Sequence, residues 1–226
     1  MGILYIIATP IGNREDITLR ALRILKEADV VFAEDTRVTK KLFILYGIAT
    51  PLRSYHQRSE KAAGNLAVSL LGEGKHVALV TDAGTPGISD PGNELVARVR
   101  AELPETKIEP VPGPSALTAA LSVAGVPTNS FLFLGFLPHK KGRKTALDGI
   151  KESEQTIVLY ESPHRIRKLF NELFERIPER RAVVARELTK IFESVVSGSV
   201  SDLRSMLESG AIPARGEFVV IVGPNA

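Results

Sequence analysis

The feature that most constrains this chain is its rhythm. Short runs of strand-forming apolar residues alternate with stretches of helical period, and most runs end in a cluster of glycine, proline or charged residues. That alternation is the signature of an α/β protein. Ile3-Leu4-Tyr5-Ile6-Ile7-Ala8 reads as a buried strand, followed by the turn-forming Thr9-Pro10-Ile11-Gly12-Asn13. Thr18 is placed to cap a helix whose Leu19, Leu22 and Leu25 recur at helical spacing. Val30-Val31-Phe32-Ala33 is a second strand, and residues 36–46 form a helix stopped by Gly47. A helix over 60–71, ended by Gly72 and Gly74, precedes the strand His76-Val77-Ala78-Leu79-Val80. Asp90-Pro91 reads as an N-cap and a first-turn proline, opening a helix to about residue 103, with a strand over 108–111 beyond it.

Pro112-Gly113-Pro114 then breaks the pattern, and the boundary between two α/β halves, 1–114 and 115–226, is placed there. Each half of the 226 residues is large enough to bury a core of its own. The second half opens with a small-residue helix over 115–124. Strands follow over 131–134, 156–160, 182–185 and 218–222, with helices near 163–175 and 200–208. There is no fixed-period repeat.

Several function classes fall away. The longest apolar runs last about six residues, against roughly 20 for a membrane span. No charged stretch precedes an apolar segment at the N-terminus, and Ile6 stands where a myristoylation signal needs Ser or Thr, so neither leader nor lipid anchor is expected. The absence of cysteine removes disulfides, thiol nucleophiles and cysteine-held metals. His56, His76, His139 and His164 never fall at the i, i+4 spacing of a helical zinc pair, so no metal is indicated. The expected setting is cytoplasmic. Lys and Arg number 29 against 26 Asp and Glu, a formal charge of +3. Residues 139–144 carry four cations in six positions, with Arg165, Arg167, Lys168, Arg180, Arg181, Arg186 and Lys190 beyond. Charge alone fits a solvated surface as well as an RNA track.

Five segments carry chemistry-bearing residues at strand ends, where sites on open sheets gather. Residues 81–92, Thr-Asp-Ala-Gly-Thr-Pro-Gly-Ile-Ser-Asp-Pro-Gly, match neither a dinucleotide fingerprint nor a phosphate loop. Pro86 suggests an extended, carbonyl-rich path, suited to a neutral or cationic ligand, or simply a long connection. Val111-Pro112-Gly113-Pro114-Ser115-Ala116 permits close approach of a ligand or serves as a hinge. Ala33-Glu34-Asp35-Thr36-Arg37, Tyr160-Glu161-Ser162-Pro163-His164-Arg165 and Ala185-Arg186-Glu187-Leu188-Thr189-Lys190 place charges after strands, as site residues or as caps and ion pairs. Taken together the five favour a cleft. No G-x-S-x-G elbow presents a serine, and nothing in the spacing selects Glu161 and Glu187 as a glycosidase pair.

In this order, and together with Ala8-Thr9-Pro10-Ile11-Gly12-Asn13, these segments resemble the ribosomal RNA small subunit methyltransferase I family of the tetrapyrrole methylase-like superfamily. The resemblance runs from about residue 2 to residue 222. It implies two α/β lobes of the tetrapyrrole methylase type, with an S-adenosylmethionine cleft between them, in a homodimer. It implies 2′-O-methylation of a cytidine ribose in the decoding region of 16S rRNA, within the small ribosomal subunit. By the same resemblance Pro10, Asp82, Gly84, Thr85, Pro86, Ile88 and Ser89 border the cofactor, with Thr85 standing where tetrapyrrole relatives carry Asp. Ser115 and Ala116 face its methionine part, and Tyr160 and Phe218 its adenosine. Many family members continue into a small helical region past the last strand, which would aid RNA docking, whereas this chain ends at Pro224-Asn225-Ala226.

The reaction so implied is an in-line displacement by the ribose oxygen, for which the protein aligns donor and acceptor and excludes water. A base that takes the hydroxyl proton would help, and Glu161, Glu187 and Asp35 are the candidates, unless they only anchor neighbouring arginines. Arg37, His164, Arg165, Arg186 and Lys190 are candidates to grip the RNA. Lys140, Lys141 and Arg143 would reach it from a basic loop. A tetrapyrrole C-methyltransferase of the same fold and a non-catalytic RNA-binding module are the alternatives.

Overall fold

The protein is seen here as a computed structural model describing residues 2–56 and 59–225, and its contacts divide the chain into two units, Met1–Ser115 and Ala116–Ala226. The first contains β1 (Ile3–Ile7), β2 (Val30–Ala33), β3 (Leu52–Ser54), β4 (Val77–Val80) and β5 (Lys107–Val111). They form one sheet in the order β3-β2-β4-β1-β5, every pairing parallel. A parallel sheet is covered on both faces, and β2 and β4 are accordingly buried at every position. On one face α1 (Leu19–Glu27) and α2 (Thr36–Tyr46) bring Ile24, Leu25 and Phe43 against Ile7, Val31 and Val80. On the other, α3 (Glu60–Gly72) and α4 (Asn93–Glu102) bring Leu71, Leu95 and Val99 against Leu4, Phe32 and Leu79.

This arrangement decides where a site can form. Strands β1 and β4 are neighbours, yet the helix following β1 lies on one face and the helix following β4 on the other. Their exit loops therefore part, leaving a crevice at the carboxyl ends of the two strands. The local signals behave as their chemistry requires. The Thr18 side chain accepts from the Ala21 N–H, and Gly47 closes α2 in the left-handed region at φ 61°. Two expectations are corrected. Helix α4 starts at Asn93, behind Gly92 at φ 139°, and not at Asp90-Pro91. Strand β3 is an addition to the expected elements, because a three-residue edge strand with two exposed positions leaves little pattern to read.

The second unit orders its strands β6-β7-β10-β8-β9, where β6 is Phe131–Phe136, β7 Thr156–Glu161, β8 Arg181–Arg186, β9 Ser194–Ser199 and β10 Phe218–Val222. Only β6 and β7 pair in parallel. One face is covered by α6 (Arg143–Glu152), α7 (Ile166–Phe174) and α8 (Val200–Ser209), through Leu147, Leu169, Phe170 and Leu203 among others. Helix α5 (Ala116–Ala124) packs against β8, β9 and β10. Helix α6 and strand β9 also go beyond the expected elements. The first is hidden behind the basic run 139–144, and the second reads Ser-Val-Val-Ser-Gly-Ser. Among the described residues no helix is long and apolar enough to cross a membrane.

Arg180, counted above with the basic surface, is instead a buried tie. Its guanidinium donates to the carbonyls of Gly223 at 2.7 Å, Ile150 at 2.8 Å and Ser153 at 2.6 Å, joining the ends of α6 and β10, and burial lowers its pKa. Replacing Arg180 by Leu strands these acceptors, and equilibrium urea unfolding is expected to show a loss of about 3 kcal/mol.

Candidate functional site at the strand ends

Three of the segments singled out in the sequence meet at the crevice of the first sheet. Thr9 donates its N–H to the Gly84 carbonyl at 2.9 Å and accepts the Gly84 N–H at 3.0 Å, an isolated antiparallel bridge between the loops that leave β1 and β4. The Thr9 hydroxyl donates to the Thr81 carbonyl at 3.1 Å, and the Thr85 hydroxyl to the Pro114 carbonyl at 3.3 Å. A Cβ on Gly113 would stand 3.0 Å from the Ala8 Cβ, so the third segment lies against the first because it lacks one.

The loop over 82–92 is coiled, not extended as Pro86 suggested. Gly84, Gly87 and Gly92 have positive φ, as does Ser89 at 63°. The Ile88 N–H turns back to the Thr85 carbonyl, and the Asn93 amide donates to the Gly87 carbonyl at 3.0 Å. Its outer part walls a pocket of about 740 Å³, lined also by Glu34, His56 and Glu60. Carboxylates that lose solvent resist ionisation unless a cation or donor compensates, and three groups here do so. Burial and then the Asp82 charge raise Glu34. Partial burial raises Asp82, although its Oδ1 accepts the Asp35 N–H at 2.9 Å. Burial, followed by the charges of Glu34 and Asp82, pushes Asp90 up to about 6.

The three expected bases are placed differently, although Asp35 adjoins Glu34 and Asp82. The Asp35 carboxylate caps α2 and is bound by the Arg37 guanidinium, then by the Arg37 N–H, which bring it down to about 2. Burial alone would raise Glu187, but the Glu217 N–H and Lys190 outweigh it and its pKa is lowered. Glu187 is held at φ 51° over Gly216, where a Cβ would collide with it. The Glu161 side chain has no exposed surface and faces Arg165 at 3.2 Å and Arg143 at 4.0 Å. Each carboxylate is spent on a local cation or N–H, so the assignment of the base to these residues is withdrawn.

In the second sheet, Phe218 is in register with both Glu161 and Arg186 at one edge. Strand alternation puts Tyr160 on the opposite face from Glu161, in edge-on contact with Phe133 and Phe136. Phe218 is 2% exposed and packs into the core beneath α6 and α7, which corrects its expected place beside an adenosine: its side chain is not available. Arg143 is a second correction. It opens α6 at 4% exposure, forked onto Glu172, and cannot reach an RNA as part of a basic loop. Arg186 donates to the Arg215 and Phe192 carbonyls, and Lys190 pairs with Glu187 and Glu217. Of the expected RNA-gripping residues, Arg37 is exposed but pairs with Asp35, while Lys140, Lys141 and His164, the last on the β7–α7 loop, are exposed as well. Pro10, Thr85, Ser115 and Ala116 are half-buried, while Ile88 and Ser89 are exposed.

Glu34, His56, Asp90 and Asn93 were not among the expected site residues. Glu34 and Asp90 lay inside quoted segments, but no local signal set them apart from Asp35 or Glu161.

The chain is similar to known proteins along most of its length. Residues 3–204 match the family model of the tetrapyrrole (corrin/porphyrin) methylases. It is 45% identical over 225 residues to ribosomal RNA small subunit methyltransferase I of Halalkalibacterium halodurans, covering 99% of this chain and 76% of the relative. Against the protein of the same name from Thermotoga maritima it is 46% identical, covering 98% of each. Among solved structures it resembles the cobalt precorrin-4 methyltransferase CbiF, with a TM-score of 0.71 at 24% identity over 97% of this chain and 94% of that one. It also resembles a Thermus thermophilus uroporphyrin-III C-methyltransferase in complex with S-adenosylhomocysteine, with a TM-score of 0.65 at 20% identity over 98% of this chain and 97% of that one.

The raised Asp90 makes a stability prediction with a definite sign. Between its ordinary 3.8 and about 6 the folded chain keeps a proton that the unfolded chain has released, so its ionisation costs stability that is fully lost above pH 6. Asp90→Asn is therefore expected to raise Tm at pH 8 by about 3 °C, or about 1 kcal/mol once solvent screening is allowed for, and to leave Tm at pH 3 unchanged. Calorimetric scans at the two pH values check it.

Proposed function

The chain belongs to the ribosomal RNA small subunit methyltransferase I family of the tetrapyrrole methylases, and from that premise we propose that it methylates small-subunit rRNA with S-adenosylmethionine. The finer reading is transfer to the ribose 2′-hydroxyl of a cytidine in the decoding region of 16S rRNA. The relatives' shared name supports the RNA substrate, and the S-adenosylhomocysteine bound in the Thermus thermophilus enzyme supports the methyl donor. The observation that carries the reading is the lock of Thr9 on Gly84 and of Thr85 on Pro114, which gathers three family segments at one crevice.

The charge of the pocket fits a sulfonium cation. It is lined by the carboxylates of Glu34, Glu60 and Asp90, and among the described residues that line it there is no lysine or arginine to repel a positive charge. When bound, S-adenosylmethionine supplies an activated methyl group. Pro10, Gly84, Thr85, Ile88, Ser89 and Ser115 are proposed to hold it. Asp90 is the residue proposed to take the ribose proton. With a pKa of about 6 it is ionised at neutral pH yet basic enough to accept, unlike Asp35 or Glu187. Lys140, Lys141 and His164 are proposed to hold RNA phosphates. The same resemblance supports a homodimer, which light scattering tests, while the cytoplasmic setting rests on the composition.

Incubation with labelled S-adenosylmethionine and undermethylated small subunits, followed by mapping of the product, is expected to place the label on a ribose of the decoding region. Label on a base, on an added porphyrinoid, or nowhere overturns the reading. Asp90→Asn is expected to lower kcat about 100-fold and to abolish its rise through pH 6. Gly84→Val forces a β-branched residue to φ 84° and is expected to weaken S-adenosylmethionine binding about tenfold or more by calorimetry.

A further inference from the structure

Beneath the basic turn that precedes α6 lies a closed ionic cluster. The Glu161 side chain has no exposed surface, and its Oε1 accepts the Ser162 N–H at 2.8 Å and faces the Arg165 Nε at 3.2 Å. Its Oε2 has no hydrogen bond and lies 4.0 Å from the Arg143 guanidinium, which is itself forked onto Glu172. Two largely enclosed guanidinium groups thus face two carboxylates, one of them without any exposed surface. Such a charge sits at the end of an inner strand only at considerable desolvation cost, and with no exposed surface it cannot touch a substrate.

Both arginines use their remaining donors on the same stretch of backbone. Arg165 donates to the Leu137 carbonyl and meets the His139 Nε2 at 3.3 Å, while Arg143 donates to the Pro138 carbonyl at 3.2 Å. Immediately beyond these anchored carbonyls stand the exposed His139, Lys140 and Lys141.

We propose that Glu161 is a positioning residue for RNA binding: it fixes Arg143 and Arg165, and through them the turn that presents Lys140 and Lys141 to the phosphate backbone of the rRNA. The proposal rests on the rRNA reading and deepens it. Glu161→Gln leaves the shape but removes the charge, so the two cations lose their shared partner and the turn loosens. Phosphate contacts made by a fixed pair of lysines are then made one at a time, and the dependence of binding on salt becomes shallower.

The test measures KM for small subunits, the salt dependence of RNA binding and S-adenosylmethionine affinity in Glu161→Gln, in Lys140→Ala/Lys141→Ala and in the triple variant. For Glu161→Gln the expected result is a KM about tenfold higher, a shallower salt slope and an unchanged affinity for S-adenosylmethionine. The triple variant is expected to bind RNA no worse than the double one, because Glu161 acts through the two lysines. Glu161→Asp, which restores the charge, is expected to recover most of the loss. Additive losses, equal losses of RNA and S-adenosylmethionine binding, or a wild-type KM in Glu161→Gln overturn the proposal. If Glu161→Gln does not fold, Arg165→Met releases the same turn from outside the strand and is held to the same non-additivity. Wild-type enzyme that methylates subunits while the variants behave additively overturns the positioning role alone; wild-type enzyme inert on subunits overturns the function as well.

Discussion

The bridge between Thr9 and Gly84 matters because of what a parallel sheet denies the chain elsewhere. Strands β2 and β4 are buried along their whole length and β1 in its core-facing positions, so polar chemistry has room only where the strands end. At β1 and β4 the exit loops head for helices on opposite faces, and nothing in the strand pairing holds them together beyond that point. Two backbone hydrogen bonds do so, and the Thr9 and Thr85 hydroxyls extend the lock to Thr81 and Pro114. Turns that need positive φ at Gly84, Gly87, Ser89 and Gly92 gain a fixed frame from it.

With the loops fixed, the carboxylates sort themselves by their neighbours. Asp35 and Glu187 find cations and N–H donors and are held acidic, which binds the chain to itself. Glu34, Asp82 and Asp90 are partly desolvated near other carboxylates, and their pKa values are raised. The same side-chain chemistry thus yields helix cap, ion pair and proton acceptor according to whether a donor lies within reach. A site that stores unfavourable charge is less stable than its scaffold permits, which is the usual balance where function needs a perturbed group.

The second unit sorts by alternation. Tyr160 and Glu161 are consecutive, yet the pleat sends one toward the aromatic cluster with Phe133 and Phe136 and the other into the α6–α7 layer. The cations of the run 139–144 divide likewise: Arg143 turns inward at the first turn of a helix, and Lys140 and Lys141 remain outside on the turn it anchors.

Much of this was legible in the residues. Periodicity, Thr18, Gly47 and the buried apolar runs identify the α/β class and most of the strands, because local sterics and side-chain period act over a few residues. The short edge strand β3, the polar strand β9 and helix α6 left weak local signals, since their places are set by neighbours distant in the chain. The motifs likewise marked which segments matter, but not which residue in each is free to act. Asp35, Glu161 and Glu187 are equal to Asp90 as letters. What separates them is whether folding brings Arg37, Arg165 or Lys190 to their side or leaves a carboxylate among other carboxylates, and that is a matter of distance through space, which only the tertiary structure fixes.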